Sequence, residues 1–335
     1  IAEETQRIVL GDGKYVEEHH DSSVVSSAFA ELSLDGAVIA GPSTSSPVRI
    51  EHDVFAQIQL SRQGTIFYPH YSPTLARWDA TEQRPSLPSH RQTHIDFVSK
   101  STLTSARQLH QLHGDKIGVL SFASPKKPGG GTLHGGDEQE ETLARYSSLV
   151  ASLTTPAAAE FYKEHKKHWA EDGSGLHDHS IVYSPGVVVL RADADDAEDG
   201  TEDFVGGKFI TPYEIDVVSA VPVNAAAVRA KHIILPSEEQ LFEEGIRSAM
   251  KERMARVLRI FEEKGEKSVV LGAFGCGSSQ NRVEVVASIW AELLVCGDVS
   301  EGVKRDARFK NVFDRVVFAV PGKLYYPFRR AFEMR

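Results

Sequence analysis

Seven residues separate the glycine triplet Gly129-Gly130-Gly131 from the acidic group Gln139-Glu140-Glu141. Paired carboxylates suit acid–base and glycosyl chemistry, where one moves a proton and the other holds or orients. Three consecutive glycines let the backbone approach a ligand with no Cβ in the way. They also expose N–H groups to a sugar or phosphate. Such a run is entropically costly, so it needs a reason. A buried-strand pattern, Lys116 to Phe122, empties into this segment, and a helix is predicted from about 138 to 152. Neighbours in a first helical turn project about 100° apart, so Glu140 and Glu141 take different jobs. A structural reading competes. Asp137 suits an N-cap with Glu140 at N3 reaching back, and acids suit the positive end of a helix. That reading accounts for Asp137 and Glu140 but not for the triplet.

A second glycine turn, Gly275-Cys276-Gly277-Ser278-Ser279, lies between a strand at Val269–Ala273 and a helix predicted over 281–296. Asn281 is its expected cap, with Glu284 at N3. Backbone donors beside a helix N-terminus favour an anion such as a diphosphate. The string reads G-x-x-G-x-G, which is not the dinucleotide fingerprint, and a tight strand-to-helix turn explains it equally well. Cys276 is read as a small buried residue, since no base partner for a nucleophile is evident. Phe274 is read as core, with adenine stacking as the alternative. His165, His168, His177 and His179 have spacings that a metal site can use. Solvated or hydrogen-bonded histidines account for them more simply, and neither metal nor cofactor is expected.

The elements that position these groups follow from periodicity. Strand patterns run over Thr93–Lys100, Ile181–Ser184, Val187–Arg191, Ile215–Ala220 and Arg315–Val320. Helical spacing runs over Thr102–Leu112, stopped by Gly114, and over 157–169. A long helix spans 238–264, with Ser237 and Gln240 as a capping-box pair and Gly265 as its stop. Its expected apolar face is Leu241, Met250, Met254, Val257, Leu258 and Phe261. Asp193 to Asp203 reads as a solvated acidic loop. Residues 21–60 read as irregular, with one or two weak strands. Alternating strands and helices mean an α/β three-layer architecture.

Composition bounds the partners. The 335 residues carry a net charge of −10, whereas a protein gripping polyanions by surface charge would be basic. An anionic ligand is therefore expected in a pocket of backbone N–H groups. Two cysteines, Cys276 and Cys296, make no disulfide framework and point to a reducing, intracellular setting, cytoplasmic or nuclear. No apolar run reaches membrane-spanning length. The opening Ile1-Ala2-Glu3-Glu4-Thr5 is no signal peptide, and with no Met at its head the natural chain is expected to begin earlier.

The two glycine turns together resemble the microbial-type poly(ADP-ribose) glycohydrolases, which carry a glycine triplet followed several residues later by Gln-Glu-Glu. Further segments look similar: Ile1 to Tyr15, Ile181 to Val187 with Arg191, Ala220 to Asn224, Leu271 to Gly277 with Asn281, and Val316 to Val320. Two departures stand out. Ser121 replaces a usual Asn, and Ser278-Ser279-Gln280 replaces a stretch that commonly holds an aromatic and a glycine. The resemblance implies a macrodomain-like α/β/α fold with a central mixed sheet. Residues 1–92 would supply accessory helix and strand elements, with the irregular insertion near 21–60, packed on a catalytic body at 93–335.

The resemblance also implies hydrolysis of ribose–ribose bonds between ADP-ribose units. Glu141 would be the general acid/base, Glu140 would hold ribose hydroxyls, and Gln139 would orient the loop or a carboxylate. Gly129, Gly130 and Gly131 would meet the distal ribose, and Gly275, Cys276, Gly277, Ser278 and Ser279 the diphosphate. The expected partners are ADP-ribose polymer or ADP-ribosylated protein, with ADP-ribosylated nucleic acid as a further candidate. Rival readings are a mono-ADP-ribosyl hydrolase, a non-hydrolysing ADP-ribose reader, and an enzyme acting on another nucleotide derivative.

Overall fold

The computed structural model describes residues 1–19, 48–80, 92–114, 116–171, 173–196, 206–231, 233–300 and 302–335. The chain opens with α1 (Ala2–Leu10), β1 (Lys14–His19), β2 (Val48–Asp53), α2 (Phe55–Gly64), β3 (Ile66–Tyr68) and α3 (Pro73–Ala76). It continues through β4 (His94–Val98), α4 (Thr102–His113), β5 (Ile117–Phe122), α5 (Gln139–Tyr146), α6 (Leu149–Leu153) and α7 (Pro156–Glu171). Next come β6 (Ile181–Arg191), β7 (Phe209–Ala220), α8 (Ala225–Lys231), α9 (Glu239–Lys264) and β8 (Ser268–Leu271). The chain closes with α10 (Val283–Ala291), β9 (Asp298–Ser300), β10 (Val303–Arg305), β11 (Arg315–Ala319) and α11 (Tyr325–Glu333).

Seven strands form one sheet in the order β3-β6-β7-β5-β8-β11-β4. Strands β7, β5, β8, β11 and β4 run parallel, while β6 is antiparallel to both its neighbours. Strands covered on both faces read as continuous apolar runs, and β5 and β8 do so. Met250, Leu258 and Phe261 of α9 pack with Trp290 of α10 and Phe328 of α11 against one face. Leu103 and Leu109 of α4, Leu143 of α5 and Phe161 of α7 cover the other. The result is the expected three-layer mixed-sheet architecture. The N-terminal Ile8, Val9, Tyr15 and Ile58 pack on Val188 and Leu190 of β6. Among the described residues no helix is long and apolar enough to cross a membrane.

Local signals hold where no distant strand competes for the backbone. Helix α4 is capped by Ser101, whose side chain accepts from the Thr104 N–H, and it ends at Gly114 with φ 64°, the left-handed stop that glycine favours. The continuous helix expected over 138–152 is instead two helices. The Ser148 N–H donates to Val188 O at 2.8 Å, and Ser147 bridges Val189, so pairing with β6 interrupts the helix. The two strands expected around Pro185-Gly186 are one strand, β6, with a register irregularity between Ser184 and Val187. There the Gly186 N–H turns to the Asp216 carboxylate at 2.8 Å.

Strand β7 begins at Phe209, well before Ile215. Of the irregular stretch expected at 21–60, residues 21–47 lie outside the described residues, while 48–60 form β2 and the start of α2. The expected Ser237–Gln240 capping box is absent. Glu238 is the N-cap, Gln240 donates to Glu244, and Leu241 is 70% exposed because the first turns of α9 overhang the core. The acidic run is not simply solvated. Asp193 is buried, its N–H donates to Asp196, and Asp196 pairs with Arg107 at 3.2 Å. Residues 197–205 of that run lie outside the described residues.

Candidate active site

Strand β5 delivers the chain to the first glycine turn, where Gly129 and Gly130 have φ of 68° and 54°. These left-handed values are strained for residues with a Cβ. The cap of α5 differs from the expected one. Glu138 is the N-cap and Glu141 is the N3 residue that reaches back to it, while Asp137 instead meets Arg145 at 3.3 Å. The Glu141 Oε2 accepts from the Glu138 N–H at 2.8 Å, and Oε1 accepts from the Gly131 N–H at 2.5 Å. The structural job that the pattern suggested for Glu140 thus falls to its neighbour.

Glu140 points a different way, as the helical offset requires. It is 2% exposed, and its Oε2 accepts from the Ser124 N–H at 2.7 Å. Its other oxygen is buried and has no partner among the described residues. Burial pushes this carboxyl up to about 8, against the opposing pull of the Ser124 and Gly129 backbone donors. Gln139 fastens the start of α5. Its side-chain oxygen accepts from the Phe122 N–H at 2.9 Å, and its amide donates to Leu120 O at 2.8 Å and Thr102 Oγ1 at 3.1 Å.

The glycines serve the carboxylate. A Cβ on Gly130 or Gly131 would stand 2.9 or 2.8 Å from Glu141 Oε1, and one on Gly136 would collide with both carboxylate oxygens. The obstructed group at Gly136 is the tip of a flexible side chain, so Gly136→Ala is expected to fold and to displace Glu141. A misplacement of about 1 Å costs about 100-fold in rate. We expect a loss of that order in kcat, checked against an unchanged thermal midpoint. Wild-type turnover would remove the proposed link between Gly136 and Glu141.

In the second turn, Gly275 has φ 70°, and a Cβ there would press 2.6 Å from both Pro222 and the Asn281 amide. Asn281 is not the helix cap. It is buried, and its amide donates to Val223 O at 2.7 Å and Gly275 O at 3.0 Å, locking the turn to the segment after β7. Helix α10 starts at Val283 behind Arg282, and its last stretch, Glu292–Cys296, is a π-turn. Within the turn, the N–H groups of Cys276 and Gln280 bond internally to Ala273 O and Gly277 O. Those of Gly277, Ser278 and Ser279 have no acceptor among the described residues. Burial, with Glu284 nearby, pushes the Cys276 thiol up to about 12, which removes it as a nucleophile at neutral pH. Phe274 is wholly buried core.

Both turns open into one cleft of about 1170 Å³, lined by Gly130, Gly131, Gln139, Glu140, Glu141, Gly275, Gly277, Ser278 and Ser279. Two expected ligand contacts do not line it. Gly129 packs toward Ala144 and Val150, and Cys276 packs against the core. The turns face each other across the cleft, where a Cβ on Gly277 would lie 3.5 Å from Glu138 Oε2.

The family model for the microbial-type PARG catalytic domain matches residues 40–192. The solved poly(ADP-ribose) glycohydrolase of Thermomonospora curvata bound to the inhibitor ADP-HPD is 30% identical. That match covers 88% of this chain and 92% of the other, with a TM-score of 0.64. This chain belongs to the microbial-type PARG family. The Thermomonospora curvata enzyme without the inhibitor gives 29% identity, coverage of 88% and 92%, and a TM-score of 0.66. The enzyme from Deinococcus radiodurans in complex with ADP-ribose gives 30%, 82% and 97%, and 0.63. Among curated protein sequences no relative is matched.

Several contributors to this PARG cleft were not legible in the sequence. Arg253 lies on the expected apolar side of α9, yet its guanidinium is buried and donates to Val221 O at 2.8 Å, Leu176 O at 2.9 Å and His177 O at 3.0 Å. It ties two cleft-lining segments to the helix. Arg229 donates to Gln280 O at 2.9 Å and pairs with Glu243, clamping the second turn onto α8. Helix α7 forms a wall of the cleft with Tyr162, His165, Lys166 and Trp169, residues at a 3-4-7 spacing within the helix expected over 157–169. His165 is neither solvated nor hydrogen-bonded, since both ring nitrogens are buried without a partner among the described residues. No set of three metal-ligating side chains is assembled among the described residues. Ser121 is fully buried in β5.

Proposed function

We propose that this protein is a poly(ADP-ribose) glycohydrolase that cleaves ribose–ribose O-glycosidic bonds and releases ADP-ribose. The observation that carries this reading is the position of the Glu141 carboxylate, in one cleft between the two glycine turns. The diphosphate would rest on the N–H groups of Gly277, Ser278 and Ser279, with the distal ribose against Gly130 and Gly131. Glu141 protonates the departing 2′ oxygen as the bond from the anomeric carbon breaks, and that oxygen keeps the bonding electron pair. A water molecule then adds to the oxocarbenium-like centre and returns its proton to Glu141. The unpartnered oxygen of Glu140 would hold a ribose hydroxyl.

The body that does this work would be residues 93–335. Residues 1–92 would be accessory, apart from β3, which adds an edge strand to the sheet. Substrates would be ADP-ribose polymer or proteins carrying it. A mono-ADP-ribosyl hydrolase is the second reading, favoured by the absence of an aromatic at Ser278-Ser279-Gln280. Incubation with polymer and with singly ADP-ribosylated protein separates the two. Free ADP-ribose released from polymer is the expected product. Release of AMP, or of nothing, would overturn the assignment.

A further inference from the structure

The order of the sheet gives the cleft a direction. The second glycine turn follows β8, Glu141 follows β5, and β5 lies between β8 and β7. A ligand with its diphosphate on the β8 turn and its anomeric carbon at Glu141 therefore runs from β8 toward β5. Whatever is attached beyond the broken bond continues toward β7 and β6. Helix α7 lies on that side, packed on β3 and β6. On the opposite side the cleft is lined by Val320 and Pro321, which follow β11.

The α7 wall is equipped for a nucleotide. Trp169 is 53% exposed and lies stacked on His177, with centroids 6.3 Å apart and an interplanar angle of 23°. Lys166 lines the cleft one turn earlier, exposed and without a carboxylate partner among the described residues. Deeper in, the Tyr162 hydroxyl and both His165 ring nitrogens are buried with no partner among the described residues. Such groups are costly to leave unmet. A neutral imidazole offers one donor and one acceptor, and burial with the nearby Arg253 charge holds His165 down at about 3, so it is neutral. A flat aromatic, a cation and paired hydroxyl-binding groups match a base, a phosphate and a ribose.

Resting on the glycohydrolase reading, we propose that α7 is the subsite for the departing ADP-ribose unit, with its adenine on Trp169, its diphosphate at Lys166 and its ribose near Tyr162 and His165. This subsite would act on polymer and not on the terminal unit alone. Trp169→Ala is expected to lower kcat/KM on polymer about 5- to 150-fold, the range of stacking losses per base, mainly through KM. Trp169→Phe should restore most of it. Lys166→Glu should raise KM for polymer, with a shallower salt dependence. Calorimetric Kd for free ADP-ribose should be unchanged in all three. Polymer kinetics that match wild type would overturn the proposal. So would an ADP-ribose Kd weakened by the same factor, which would move α7 to the terminal unit's own site. A wild-type protein that binds ADP-ribose but cleaves no polymer would overturn the parent reading and this one together, and is distinguished by needing no variant.

Discussion

Glu141→Gln is expected to lose about 10²–10⁴-fold in kcat on ADP-ribose polymer, the usual contribution of a positioned acid–base group. The isosteric amide keeps the volume packed among Gly130, Gly131 and Gly136, so the cleft should stay open. Its affinity for free ADP-ribose should survive, because the donors proposed for the diphosphate lie on the other turn. A modest structural cost is also expected. Glu141 accepts from two backbone N–H groups, and an amide can present an oxygen to only one of them. Loss of such a cap costs about 0.5–2 kcal/mol, which thermal unfolding would register without abolishing the fold. Single-turnover rates and calorimetry on the same preparation separate these effects. Turnover equal to wild type would reject Glu141 as the proton donor, and loss of rate and binding in equal measure would assign it a binding role only.

Glu140→Gln is expected to change how stability depends on pH. The Glu140 carboxyl is pushed up to about 8 chiefly by burial, so the folded protein holds its proton more tightly than the unfolded chain does. Its contribution is fully present below the unfolded value near 4.5 and is lost as pH rises through the folded value. The ceiling on that loss is about 5 kcal/mol, from roughly 1.4 kcal/mol per unit. Gln keeps an acceptor for the Ser124 N–H and has no charge to bury. The variant should therefore gain on wild type steadily between about pH 5 and pH 8 and hold a constant margin above that. Glu266, also pushed up to about 8 by burial and by Asp216, contributes to both proteins and cancels in the difference. Denaturant midpoints at pH 5, 7 and 9 measure it, and parallel curves would refute a buried, protonated Glu140. Below about pH 8 the same proton would let Glu140 donate toward a ribose oxygen, in the holding role proposed for it.

Sequence alone was enough to determine the alternation of strands and helices in the catalytic body, the buried strand over Lys116–Phe122, α4 with its Gly114 stop, and the two glycine turns with their adjacent acids. These are carried by periodicity and by residues with special backbone freedom, both of which act within a few positions. Only the tertiary structure decided the rest. Ser147-Ser148 leaves the helical pattern because β6 offers its backbone a better partner. Asn281 abandons the cap because two buried carbonyls, one of them 58 residues away, need its amide. Arg253 enters the core because three more carbonyls meet it there. Which of two neighbouring glutamates is buried and which faces Gly131 likewise depends on what the fold packs around α5. Burial and long-range pairing belong to the assembled molecule, so no local pattern encodes them.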